Sequence, residues 1–483
     1  MDLGRSTATE LVAALRAKQV SSVELLDAYI ARIEKLNPIV NAVVTLDAER
    51  ARRRAAEADA AWVRGDWWGS MHGLPVSVKD ALDTAGIRTT GGSKEFASRV
   101  PTTDAAAVAR LKAAGAVVFA KTNLPLWSGD CQTWNELFGA TANPWDLERA
   151  PGGSSGASAV AIACGLSALE TGTDIGGSIR NPAHFTGVYG HKASFGLVPG
   201  VGYFDRPGGG HVDVDINVIG PLARSVDDLE LSLGELAGPD PLGGRRASVV
   251  LPPPRAASLE GYRLAVWLED PALAVDSAVA AVLRRAVDEL VDAGAAVEEA
   301  RPTIDTEEVL RTYYFLLGAA IGSPQAAAIG RAMRETPPSP DEPVEAAFVR
   351  GAAGDVVEWG VACVARAEFR QEWARFHQRY DALLCPVAPT AALPTEPGVD
   401  LTERTIPVDD ESRPAIETIR WCGIVGVASL PSTVTPVGIT ETGLPVGIQV
   451  VGPYYEDRTP LDVARRIDGI VQAYRVPPLA IIA

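Results

Sequence analysis

Gly152-Gly153-Ser154-Ser155-Gly156 and Asp174-Ile175-Gly176-Gly177-Ser178-Ile179-Arg180 are the two stretches on which the reading of this 483-residue chain turns, with Ser154 and Ser178 standing 24 positions apart. Between them, residues 157–169 are almost wholly small and apolar, which predicts a buried helix that returns the second cluster to the side of the first. Glycines let backbone amides approach a substrate closely, and consecutive free amides form a concavity suited to an oxyanion. A serine at the end of such a nest is a natural nucleophile. One Gly/Ser cluster alone reads as a loop; two flanking a buried helix point to a site.

A serine hydroxyl needs a base. The five histidines are His72, His184, His191, His211 and His377, and His184 and His191 follow Ser178 closely. Residues 152–156 also satisfy G-x-S-x-G, the nucleophile elbow of α/β-hydrolases, for which His377 is the late histidine. An elbow should follow a strand, whereas 140–151 is polar and punctuated by proline. Lysine is the other base available. In Leu74-Pro75-Val76-Ser77-Val78-Lys79 apolar and polar residues alternate, which predicts a strand with Val76 and Val78 on one face and Ser77 and Lys79 on the other. Loss of solvation at the end of such a strand loosens a lysine's hold on its proton. Lys121, after Val117-Val118-Phe119-Ala120, has the same setting, so strand context leaves both open, with a salt bridge to a carboxylate such as Asp80 as the structural alternative. No metal-ligand set, P-loop or dinucleotide motif is present, and neither a metal nor a cofactor is expected.

Working outward, Thr7 with Glu10 and Ser21 with Glu24 have capping-box spacing. The second helix carries Leu25, Leu26, Tyr29, Ile30, Ile33 and Leu36 on one stripe and is expected to stop at Asn37-Pro38. A strand at 41–46 and a charged helix at 47–64 follow. A helix at 105–114, Gly115 and a strand at 116–120 form a pattern that recurs at 286–294 and 295–298, the grammar of βαβ units. Residues 238–255, with Pro252-Pro253-Pro254, read as a long surface connection, and 336–343 as a second. Residues 303–360 are helical in pattern and contain Tyr313-Tyr314, which suits either a cap over a pocket or a peripheral layer. The chain closes with strands at 381–387 and 444–451, a helix at 416–427 between them, and a last helix from Thr459.

Lysine and arginine number 44 against 61 acidic residues, a formal charge of −17, with hydrophobic residues at 47% and charged ones at 22%. Those fractions are globular averages and exclude disordered, collagenous and disulfide-scaffold classes. The acidic balance lacks the basic footprint that nucleic-acid binding needs. Five scattered cysteines without a C-x-x-C read as reduced thiols, and no apolar leader or long apolar run occurs, so a cytoplasmic protein that neither crosses nor binds a membrane is expected.

The stretch from Gly152 to Ser178, continued by Arg180-Asn181-Pro182-Ala183-His184-Phe185 and Gly187-Val188-Tyr189-Gly190-His191-Lys192, closely resembles the amidase signature family. The likeness extends back through Gly73–Asp80 and Lys121-Thr122-Asn123, and forward through Gly220-Pro221-Leu222-Ala223-Arg224-Ser225 and Gly443-Leu444-Pro445-Val446-Gly447-Ile448-Gln449. It implies an α/β fold, a large mixed twisted sheet flanked on both faces by helices, in one amidase domain over 1–483 with the signature core at 71–235; the residue pattern adds an N-terminal helical segment at 1–70 and the cap or peripheral layer at 303–360. It also implies a Ser-cisSer-Lys triad: Ser178 as nucleophile, Ser154 on a cis peptide after Gly153, and Lys79 as base. The oxyanion hole then maps to the amides of Ile175, Gly176, Gly177 and Ser178, with Thr173, Asp174 and Arg180 in support. Ala157, Ala193 and Ser194 depart from the family's usual Gly and Pro-Thr.

The reaction implied is hydrolysis of a small-molecule amide, an aryl acylamide or carbamate foremost, by a monomer or homodimer. The rival within the family is the glutamine-hydrolysing component of the tRNA-dependent amidotransferase. That branch usually has Thr at Ile175 and Ser-Ser-Leu-Asp-Gln at Val214-Asp215-Ile216-Asn217-Val218, so both departures favour a stand-alone hydrolase. The segment 126–134 resembles the family's pocket loop; Trp127, Ser128, Gly129 and Trp134, with Tyr313 and Tyr314, are the candidate pocket residues, and the aromatic ones are expected to form a wall.

Overall fold

A computed structural model describes residues 2–239, 249–334, 339 and 342–481. Its centre is an eight-stranded mixed sheet, in the order Ala296–Glu299, Arg263–Val266, Ala382–Pro386, Pro445–Val451, Ser432–Ile439, Tyr189–Lys192, Val218–Ala223 and Glu170–Asp174. The first three strands run parallel and the remaining pairings are antiparallel. The strand period of two divides the core. Ala382 and Leu384 face one hydrophobic cluster, with the helices Val226–Leu236, Ser277–Asp292 and Arg458–Val471. Leu383 and Cys385 face the other, with Thr306–Ile321, Val356–Arg379 and Arg420–Gly426. The sheet is thus covered on both sides, as an α/β fold requires.

A second sheet of three strands, Val43–Leu46, Val117–Thr122 and Pro75–Lys79, carries one βαβ unit, in which the helix Ala106–Ala113 joins the parallel pair. The other unit is Arg263–Val266, Ser277–Asp292 and Ala296–Glu299. The two sheets meet edge to edge without ladder pairing. Ser77 N–H donates to Ser167 Oγ (2.9 Å) and Lys79 Nζ to Thr173 Oγ1 (2.8 Å), so Pro75–Lys79 runs beside Glu170–Asp174.

Two sequence expectations are corrected. The second helix runs through Pro38 to Val40, because proline falls in its last turn, where Asn41 closes the helix in the left-handed region and Asn37 Oδ1 accepts from the amides of Ala42 and Val43. The apolar stretch 157–169 is a helix only over Gly156–Ala163; Gly165 then turns at φ +64° against the backbone of Leu3. Ser154 follows an irregular segment, not a strand, as the polar, proline-punctuated run 140–151 implies, so nothing supports the nucleophile-elbow reading. Half of the proposed connection at 238–255 (residues 240–248) and most of that at 336–343 lie outside the described residues.

Candidate active site

The site is assembled where the two sheets abut. Ser155 ties the first glycine cluster to the second: its amide donates to Ser178 O (3.1 Å), its hydroxyl to Thr173 O (3.2 Å), and Thr173 N–H returns a bond to Ser155 Oγ (3.3 Å). Gly172 permits this approach, since a Cβ there would lie 2.8 Å from Ser155 Oγ. The Gly153–Ser154 peptide bond is cis. Gly153 is pressed against Asp130–Gln132, where a Cβ would meet Asp130 O at 2.5 Å, and Thr133 Oγ1 donates to Gly152 O (2.8 Å).

The end of the strand Pro75–Lys79 delivers Lys79 beneath these loops, its Nζ 2.6 Å from Ser154 Oγ and 2.8 Å from Thr173 Oγ1. Exposure ranks the three residues: Lys79 is 0% exposed, Ser154 1% and Ser178 8%, so only Ser178 can meet an incoming molecule. Burial lowers the Lys79 pKa to about 7, against the attraction of Asp174 and Glu170. Low proton affinity does not single this lysine out. Burial also brings Lys121 down to about 8, and burial with the neighbouring Arg180 brings Lys192 to about 7. Geometry does the selecting: Lys121 is spent on Leu82 O and the hydroxyls of Thr84 and Thr89, and Lys192 on Ala193 O.

Asp174 and Arg180 brace the second cluster. Asp174 accepts from the amides of Gly177 (2.9 Å) and Ile179 (3.0 Å) and pairs with Arg180 Nη2 (2.8 Å), both side chains being fully buried. Burial would raise the Asp174 pKa, but Arg180 holds it down to about 2. Arg180 Nη1 donates to Cys422 O (2.9 Å) and Gln449 Oε1 (2.8 Å), anchoring the loop to the helix Arg420–Gly426 and the strand Pro445–Val451. Of the four amides implied as an oxyanion hole, Gly177's is therefore engaged by Asp174. Those of Ile175, Gly176 and Ser178 have no acceptor among the described residues. Tyr313 closes over them, its hydroxyl 3.4 Å from Ile175 O, and Ile419 packs beside it against Gly176.

The pocket residues divide. Trp127 and Ser128 both take the left-handed conformation, and the Trp127 ring packs edge-on against Phe96 and Phe204. Trp134 instead pairs with Ala140 in a short hairpin and faces Gly398, while Tyr313 and Tyr314 pack on each other. No ring contact joins these groups to one another among the described residues. His184 bonds the backbone of Thr390 and Gly447, His191 bonds Thr433 and Asp457, and His377 bonds Tyr380 O and stacks on Trp373. Each is held in the framework, away from both serines. The Lys79–Thr173 contact was not legible in the sequence, because it depends on two strands that are neighbours without being ladder partners. The only signal for Thr173 was its place inside the motif.

The amidase family's sequence profile matches residues 24–461. The chain belongs to the amidase signature family, whose members act on carbon–nitrogen amide bonds. It is 34% identical to the A-type subunit of glutamyl-tRNA(Gln) amidotransferase from Moorella thermoacetica over 503 aligned residues, covering 99% of each chain. Among solved structures it superposes on an amidase with a TM-score of 0.78 at 29% identity, covering 96% of this chain and 100% of that one. It matches 6-aminohexanoate cyclic dimer hydrolase, in complex with its substrate, with a TM-score of 0.78 at 26% identity, covering 99% and 100%. No helix among the described residues is long and apolar enough to cross a membrane.

Proposed function

We propose that the protein cleaves a carboxylic amide by acyl transfer through Ser178 to water. The observation that carries this reading is the fully buried Lys79 amine, 2.6 Å from Ser154 Oγ, beside a loop in which the amides of Ile175, Gly176 and Ser178 have no acceptor among the described residues. Neutral Lys79 accepts the Ser154 proton as Ser154 takes that of Ser178, and Ser178 attacks the carbonyl carbon. Charge developing on the carbonyl oxygen is met by the amides of Ile175, Gly176 and Ser178. The proton then passes back through Ser154 to the departing nitrogen, which leaves as the amine, and water reaches the acyl ester by the reverse relay. No metal or cofactor takes part in this route.

For the substrate we favour a small apolar or aryl amide, or the related carbamate. Its support is the apolar packing of Tyr313 and Ile419 against Gly176, and the aromatic character of the segment 126–134, whose Trp127 packs on Phe96 and Phe204. A second reading, glutamine hydrolysis as the A-type component of an amidotransferase with a protein partner, is favoured by the full-length likeness to such proteins. A panel of anilides, aliphatic amides, carbamates and glutamine decides between them. Turnover of anilides without glutaminase activity supports the first reading, and glutaminase activity that depends on a co-purifying partner supports the second.

A further inference from the structure

One group in the cluster behind Lys79 is unused by the route above. Glu170, the first residue of the strand Glu170–Asp174, is completely buried. Its Oε2 accepts from the Thr171 amide (2.8 Å), while its Oε1 has no hydrogen-bond partner among the described residues, and neither has the buried Ser77 Oγ. The hydroxyls of Ser77, Thr122 and Ser158 surround the carboxyl, and those of Thr122 and Ser158 bond each other (2.9 Å). Ser77 shares a strand face with Lys79, and the register Lys79↔Thr122 sets Thr122 beside the lysine.

A carboxylate so placed must find a cation or take up a proton. Two ammonium groups feel its charge, Lys79 and Lys121. Lys121 is already committed to Leu82, Thr84 and Thr89 and has Asp80 as its own counter-charge. Lys79 faces two carboxylates, Asp174 and Glu170. Asp174 is matched by Arg180, with Lys192 beyond them, and Tyr203 borders Thr173 as a neutral phenol. Glu170 is the one left unmatched.

We propose that Glu170 is a positioning residue for the reaction: through the buried cluster it shares with Lys79, its ionisation governs how readily the lysine gives up the proton it must lack to act as base. An ionised Glu170 draws a proton onto the amine, and a protonated one releases it. Burial pushes the Glu170 pKa up to about 7, against hydroxyls and the Thr171 amide that favour its ionised form. This inference rests on Lys79 being the base.

The test measures the rate at which a fluorophosphonate phosphonylates the serine, across the neutral pH range, in wild type, Glu170→Gln, Ser77→Ala and Lys79→Met. In Glu170→Gln the acid limb of the profile is expected to move down by about one pH unit, the scale of one charge removed from a protein interior. Below the wild-type midpoint the variant then labels about tenfold faster. Ser77→Ala, which removes a hydroxyl beside the carboxyl and so favours its protonated form, shifts the limb the same way by less. A purely structural Glu170 would lower the rate at every pH and leave the midpoint in place, and that result in Glu170→Gln overturns the inference. Should that variant fail to accumulate, an unmoved midpoint in Ser77→Ala overturns it instead. Lys79→Met labelling at the wild-type rate would mean that the base itself is wrong, whereas an inert Lys79→Met beside an unshifted Glu170→Gln would reject only the role of Glu170.

Discussion

Replacing Lys79 with methionine should abolish activity and yet make the protein more stable. Burial takes this amine from the ordinary lysine value of 10.5 to about 7. At about 1.4 kcal/mol per pH unit, that gap costs the folded state about 5 kcal/mol at and below neutrality. The sign follows from proton counts. Between pH 7 and 10.5 the unfolded chain holds the proton and the folded one does not, so the wild type gains stability as pH rises through that window. Methionine has similar length and no charge to desolvate, but it leaves the hydroxyls of Ser154 and Thr173 without their amine, a loss of about 1–3 kcal/mol. The expected net gain near pH 7 is about 2 kcal/mol or more, shrinking as pH rises toward 10.5. Denaturant titrations of both proteins at neutral and alkaline pH measure it directly. A variant less stable than wild type at neutral pH, or one whose advantage does not fall with pH, would refute the claim that Lys79 is held uncharged at a cost to the fold.

Other consequences can be checked separately. In the wild type, kcat/KM should rise with pH to a plateau above about 7, falling about tenfold per unit on the acid side, because protonated Lys79 cannot act as base; a profile flat through neutrality would contradict this. Arg180→Gln leaves Asp174 buried without its cation and should cost about 3–5 kcal/mol in denaturant unfolding, together with activity; a loss under about 1 kcal/mol would show that the pair is not bracing the loop. Gly153→Ala places a methyl 2.5 Å from Asp130 O, a backbone atom with little room to yield, so a stability loss of about 1–3 kcal/mol and a displaced Ser154 are expected. Wild-type turnover in that variant would show that the contact is relieved without moving the serine.

Much of this could be read from residue order because the informative segments are locally decided. The strand at 75–79 ends on Lys79 as its alternation requires, and both βαβ units form where a helix, an Ala-Gly turn and a strand follow one another. The alternation misleads in one respect: Pro75–Lys79 is buried on both faces, because the polar face of Ser77 and Lys79 packs into the cluster around Thr122 and Glu170. What could not be read depends on contacts between distant segments. Glu170–Asp174, to which the sequence assigns no element, is a strand because Val218–Ala223 pairs with it residue for residue. Ser432–Ile439, which carries Pro436 and Gly438, is a central strand that accommodates them with a register shift between those two positions. The choice between Lys79 and Lys121 was likewise beyond strand context, since both amines are buried and both lose proton affinity. Only the crossing of two sheets decides which one reaches a serine.

The most direct test of the account is to identify the residue that a fluorophosphonate modifies, by peptide mapping of the labelled protein. One adduct on Ser178 is expected, absent from Ser178→Ala and formed far more slowly in Lys79→Met. An adduct on Ser154, or undiminished labelling once the lysine is gone, would contradict it.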